Sequence, residues 1–156
     1  MMAFRHKHFT WAGAFAVAAC GAATSSPTPT TAELTVGGTY PTEVSLVAGK
    51  NTCGAVTIQA NPTVITHTSG ASTFSLVHTS IVTTGSVKRD GSFTTDLTTL
   101  VIGSTSYKIG ITGQFLTNGL TAVVHLDVTQ PGPPATCSYE VQWTATKQGA
   151  ASVIPG

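Results

Sequence analysis

The alternation of apolar and polar residues between Phe93 and Ala145 constrains this chain more than any other feature. Phe93, Thr95, Leu97, Thr99 and Val101 alternate with polar partners, and Gly103-Ser104 then offers a turn. Tyr107, Ile109, Ile111, Gly113 and Phe115 continue the same face up to Thr117-Asn118-Gly119, a strong hairpin signal. Leu120, Ala122, Val124, Leu126 and Val128 follow, and Pro131-Gly132-Pro133-Pro134 breaks the chain. The last segment sets Cys137, Tyr139, Val141, Trp143 and Ala145 on one side. A period of two sustained over four segments predicts antiparallel strands with one buried and one solvated face.

Upstream the pattern is weaker but of the same kind. Candidate strands are Leu34–Tyr40, Glu43–Val47, Gly54–Gln59, Thr63–Thr68, Thr73–Thr79 and Ile81–Lys88, separated by Gly, Asn, Pro and Asp turn signals. No stretch shows a capped helical period. With 29 threonines in 156 residues, the chain is rich in β-branched side chains that tolerate a wet face. The expected fold is therefore all-β: an antiparallel up-and-down meander forming a small barrel of about eight strands, with a β-sandwich as the alternative. A barrel is preferred because closure leaves no exposed edge.

The first residues obey other rules. Arg5 and Lys7 precede an apolar run from Phe9 to Ala19 that is too short to span a bilayer. It ends in Val17-Ala18-Ala19-Cys20, an aliphatic residue, two small ones and a cysteine. This resembles the lipobox of bacterial lipoproteins, which implies that residues 1–19 are a cleaved signal peptide and that Cys20 is lipidated. Two or three acyl chains at about 0.8 kcal/mol per buried CH₂ make such an anchor effectively permanent. Residues 20–33, the cysteine and a Ser/Thr/Pro-rich stretch, read as a flexible tether spanning roughly 20 Å. The β domain is expected over 34–148, and 149–156 as a disordered tail.

Two cysteines remain, Cys53 and Cys137, and an even pair in an exported chain reads as a disulfide. Closing a loop of about 85 residues is worth roughly 4–5 kcal/mol in the chain-entropy model. Charge is sparse: seven Lys+Arg less the two in the leader leave five, against six Asp+Glu, a net of about −1. Such a surface does not suit nucleic acid, which demands clustered cations. No zinc or haem spacing of cysteines and histidines occurs, so neither a metal nor a cofactor is expected.

Candidate chemistry is thin. Centring hairpins on Thr117-Asn118 and near Pro133 predicts an outer row Lys108–Asp127–Glu140, which reads as a surface ion pair beside a second acid. His67, His78 and His125 fall on three different strands, and His125 and Asp127 share a face. No Gly-x-Ser-x-Gly elbow or phosphate loop is present, so no catalytic residue is assigned and the chain is not expected to be an enzyme.

The inner face is more informative. Tyr107, Phe115, Tyr139 and Trp143, with His78 pointing inward, are either packed core or the lining of a ligand cavity. In the packed case Trp143 is expected against the Cys53–Cys137 bridge. The ending Trp143-Thr144-Ala145-Thr146-Lys147 resembles the last strand of avidin- and lipocalin-like barrels. The tryptophan cage of avidin-like proteins is missing, so the resemblance implies no particular ligand. The function expected is a non-enzymatic structural or protein-binding module on the outer membrane or cell surface, held to the membrane through Cys20, with an envelope protein as partner. The alternative is a carrier of a small apolar ligand.

Overall fold

A computed structural model describes residues 32–156; the expected signal peptide, Cys20 and most of the tether lie outside the described residues. Ten strands form: β1 (Gly38–Tyr40), β2 (Thr42–Leu46), β3 (Thr63–His67), β4 (Thr73–His78), β5 (Ile81–Val87), β6 (Ser92–Thr95), β7 (Thr98–Ile102), β8 (Thr105–Leu116), β9 (Gly119–Thr129) and β10 (Thr136–Thr146). All pairings are antiparallel, in the order β1-β3-β4-β5-β6-β8-β9-β10-β2, with β7 paired to β8 alone. The expected all-β meander is thus a nearly closed barrel whose wall has nine strands.

Closure falls on one short segment. Gly38–Tyr40 pairs with β3, whereas Thr42–Leu46 pairs with β10, so the two ends of the sheet are consecutive pieces of chain joined at Pro41. Proline has no N–H to give a ladder, which suits the point where the strand changes partner. Tyr40 and Thr42 beside it are both buried.

The upper half of the barrel is filled by aromatic rings. Phe93 and Phe115 lie 4.6 Å apart, and Phe74 meets both edge-on at 5.5 and 5.6 Å, an arrangement favoured by ring quadrupoles. Two glycines make room. A Cβ on Gly85 would lie 2.7 Å from the Phe74 ring, and one on Gly113 would lie 2.7 Å from the Phe93 ring. Each glycine is the cross-strand partner of the phenylalanine that covers it.

Residues 149–156 correct the sequence reading. Rather than forming a disordered tail, they run back over this end of the barrel, where Val153 and Thr35 exchange backbone hydrogen bonds of 3.0 Å. Ser152 is buried, and its hydroxyl lies 3.3 Å from that of Tyr40, which donates to the Val36 carbonyl at 2.6 Å. The apolar Leu34, Val36 and Ile154 gain burial there that a free tail would forgo.

Three further expectations change. Gly54–Gln59 is an irregular strap rather than a strand, because the edge of β10 is already taken by β2 and by Val47 and Thr52. Its Val56 and Ile58 pack on the core instead. Phe93–Val101 is not one strand either. β6 pairs with β8 as Thr94↔Thr112 and β7 as Thr98↔Ile109, so one extra residue enters the upper strand, a β-bulge. The Thr95 hydroxyl accepts from the Ile111 N–H at 3.1 Å, standing in for a ladder carbonyl. The bulge reverses the alternation, so Val101, expected inside, is exposed while Leu100 packs inward. Finally, the β9–β10 hairpin sets Asp127 opposite Ser138 and His125 opposite Glu140, one residue off the predicted centre, whereas Lys108↔Asp127 is as expected.

Cys53 and Cys137 sit at disulfide distance, with Cα atoms 5.0 Å apart and a sequence separation of 84. The pair ties the strap to the start of β10. Replacing both cysteines by serine should lower unfolding free energy by about 2–4 kcal/mol. Chemical denaturation followed by tryptophan fluorescence checks this; an unchanged midpoint would show that the crosslink contributes nothing.

Candidate functional site

The five inward residues singled out by sequence divide between two ends of the barrel. Phe115 belongs to the aromatic plug at the end capped by the termini, 6.1 Å from Tyr40, and faces no cavity. Tyr107 and Tyr139 lie at the other end, beneath Ala55, Val56 and Thr57 of the strap. His78 and Trp143 meet there too, with ring centroids 4.3 Å apart and planes inclined by 31°. Trp143 therefore stacks on His78 and not on the disulfide. Six residues of strand, about 20 Å at 3.4 Å each, separate it from Cys137.

His78 terminates a buried polar chain that crosses the closure seam. Thr42 donates its hydroxyl to the Tyr40 carbonyl at 2.8 Å. The Thr42 and Thr63 hydroxyl oxygens are 2.8 Å apart, and Thr63 Oγ1 is 2.9 Å from His78 Nδ1. Each hydroxyl has a single proton. Since that of Thr42 is committed to a carbonyl, Thr63 must donate to Thr42 and then accept from Nδ1–H. The chain fixes the tautomer: Nδ1 carries the hydrogen and Nε2 a lone pair. Sequence reasoning found His78 but missed Thr42 and Thr63, because a threonine among 29 carries no signal until closure brings β2 beside β3.

The Nε2 lone pair has no protein partner among the described residues, yet it is not sealed from solvent. The His78 side chain lines a cleft of about 110 Å³ together with Ile81, Tyr139, Val141 and Trp143, with Ile58 and Gln59 of the strap on its other side. Burial pushes the His78 pKa below its ordinary 6.5 and raises that of Tyr139. The site can thus accept one hydrogen bond inside an apolar wall.

The remaining histidines are elsewhere. The Nδ1 of His67 accepts from the Val36 N–H at 3.5 Å, leaving Nε2–H to donate to the Ala71 carbonyl at 2.9 Å, so this ring clips the N-terminal segment to the β3–β4 turn. His125 lies 3.1 Å from Asp127 and 3.6 Å from Glu140 on the outer wall. With His125 and Asp127 more than half exposed, these contacts are worth under about 1 kcal/mol. Among the described residues, no three His, Cys, Asp or Glu side chains are placed to hold a metal ion. The chain matches no protein-family model, no curated protein and no solved structure.

The lowered pKa of His78 has a signed consequence. The unfolded chain binds the proton more readily than the folded one, so this group's contribution is complete above about pH 6.5 and is lost as pH falls below it. The melting temperature should fall between pH 7 and pH 5, and His78→Gln, which keeps a donor for Thr63, should flatten that slope. Equal slopes in the two proteins would show that His78 is not held neutral by the fold.

Proposed function

We propose that this protein is an envelope lipoprotein: Cys20 carries the lipid, residues 20–33 form a short tether, and the barrel is displayed on the outer membrane or cell surface as a non-enzymatic structural or protein-binding module. The observation that carries this reading is the packed interior. Eight side chains, from Tyr40 and Phe115 to Thr63, are under 2% exposed, and the two clefts that share Tyr139 beneath the strap offer about 110 and 190 Å³, whereas carriers of drug-sized ligands provide about 300 Å³ or more. A filled barrel presents its outside. That outside is rich in threonine and poor in charge, which suits contact with another polypeptide better than with phosphate or metal.

The carrier reading has one observation in its favour, the Nε2 acceptor of His78 at the cleft. It would restrict the cargo to a few heavy atoms bearing one O–H or N–H, phenol being the simplest probe.

Two measurements test these readings. Mass spectrometry of the native N-terminus should find a peptide beginning at Cys20 with added acyl mass; an unmodified thiol or another start site removes the anchor. Under the module reading, phenol at millimolar concentration should leave the melting temperature unchanged. A rise of several degrees that disappears in His78→Gln would transfer the function to carriage.

A further inference from the structure

The connection 47–62 between β2 and β3 is the longest in the wall, and its two halves are held in different ways. The first half is tied to β10. The Val47 N–H donates to the Glu140 carbonyl at 3.0 Å, and the Thr52 N–H to the Ser138 carbonyl at 2.9 Å. The Ser138 N–H donates back to the Thr52 hydroxyl at 2.9 Å, and the Cys53–Cys137 crosslink follows one residue later. Beyond it the ties stop. From 55 to 62, no hydrogen bond joins the strap to the barrel among the described residues; Asn61 Nδ2 donates only to the Gln59 carbonyl of the strap itself, at 3.4 Å.

Val56 and Ile58 alone hold this half down, and both are only partly buried. Ile58 bounds the cleft of about 110 Å³ beside His78 and Trp143, and Val56 bounds the one of about 190 Å³ beside Tyr107. Tyr139 borders both. Raising two side chains would therefore merge the clefts without breaking a ladder hydrogen bond. A segment with few apolar contacts and a solvated main chain lies at the low end of local stability.

We propose that 54–62 is a lid over one continuous mouth, and that the Cys53–Cys137 disulfide is its latch. The crosslink stands where the tied and untied halves meet. With it formed, the free span runs only from Cys53 to Thr63, and Val56 and Ile58 stay seated. Without it, the nearest hold is the Thr52–Ser138 pair, whose hydrogen bonds lie in solvent where water replaces them at little cost. A reductant can reach the bridge. Neither cysteine is fully buried, and Cys137 lines a second hollow beside Asp127 and Thr129 as well as the cleft beside Tyr107. A small dithiol supplies two electrons and two protons, leaves both cysteines as thiols, and closes to its own disulfide. The lifted lid then uncovers Tyr107, Tyr139, Trp143 and the His78 ring, a mouth suited to an apolar molecule that carries a hydroxyl. The inference goes beyond the module reading, because the oxidised barrel stays filled and closed and only the reduced one opens.

Iodide quenching of Trp143 fluorescence tests it, in the full chain carrying Trp11→Phe and Cys20→Ser, so that one tryptophan and one cysteine pair remain. Dithiothreitol should raise the quenching constant about threefold or more while circular dichroism keeps its strand signal, and reoxidation should reverse the rise. Val56→Ser/Ile58→Ser, with the crosslink intact, should raise it as much without reductant. Trp143 that stays shielded in the folded reduced chain overturns the latch, as does a chain that loses its strand signal on reduction. A shielded Trp143 in the folded serine variant overturns the lid itself.

Discussion

The structure depends on one strand serving two partners. A meander of this composition could have remained an open sheet, with apolar Ile65, Leu76, Ile111 and Val124 covered from one side only. Because the chain switches at Pro41 from β3 to β10, the sheet ends meet and those residues face one another. The same switch brings Thr42 beside Thr63, and so creates the hydroxyl chain that orients His78. Fold and candidate site share a single cause.

Much of the wall was legible in the sequence because period-two alternation is a local property. The β8, β9 and β10 segments and the Thr117-Asn118 turn follow from residues that are near neighbours in the chain. What sequence could not supply is phase across irregularities. One additional residue at 96–97 inverts every side chain of β7, so Val101 and Leu100 exchange faces. Likewise a one-residue difference in the Pro-rich hairpin replaces an Asp127–Glu140 row by His125–Glu140. The tail was misread for another reason. Ser152 and Ile154 look unremarkable in a polar ending, and only the barrel end that receives them gives them something to cover.

The candidate site shows the same division. His78 and Trp143 are visible as inward-facing residues, yet nothing in the sequence pairs them, since 64 positions of chain intervene and the contact runs through the barrel. Tyr107 and Phe115 share their face but not their surroundings, because β8 is 12 residues long and reaches from the strap to the aromatic plug. A face is thus a weaker statement than a site. The first needs alternation, whereas the second needs closure, and closure is a long-range event whose loop cost grows slowly and leaves no local mark.

The crosslink between Cys53 and Cys137 also bears on mechanics. Both described ends leave the barrel at the Thr35–Val153 bridge, side by side, so tension between them would unzip that bridge rather than shear it. With the disulfide formed, the force path jumps from Cys53 to Cys137, and β3 to β9 lie inside the covalent loop. Only the outer segments could pay out under load. A pulled molecule would lengthen by a short, fixed amount and then stiffen, with most of its wall never feeling the strain.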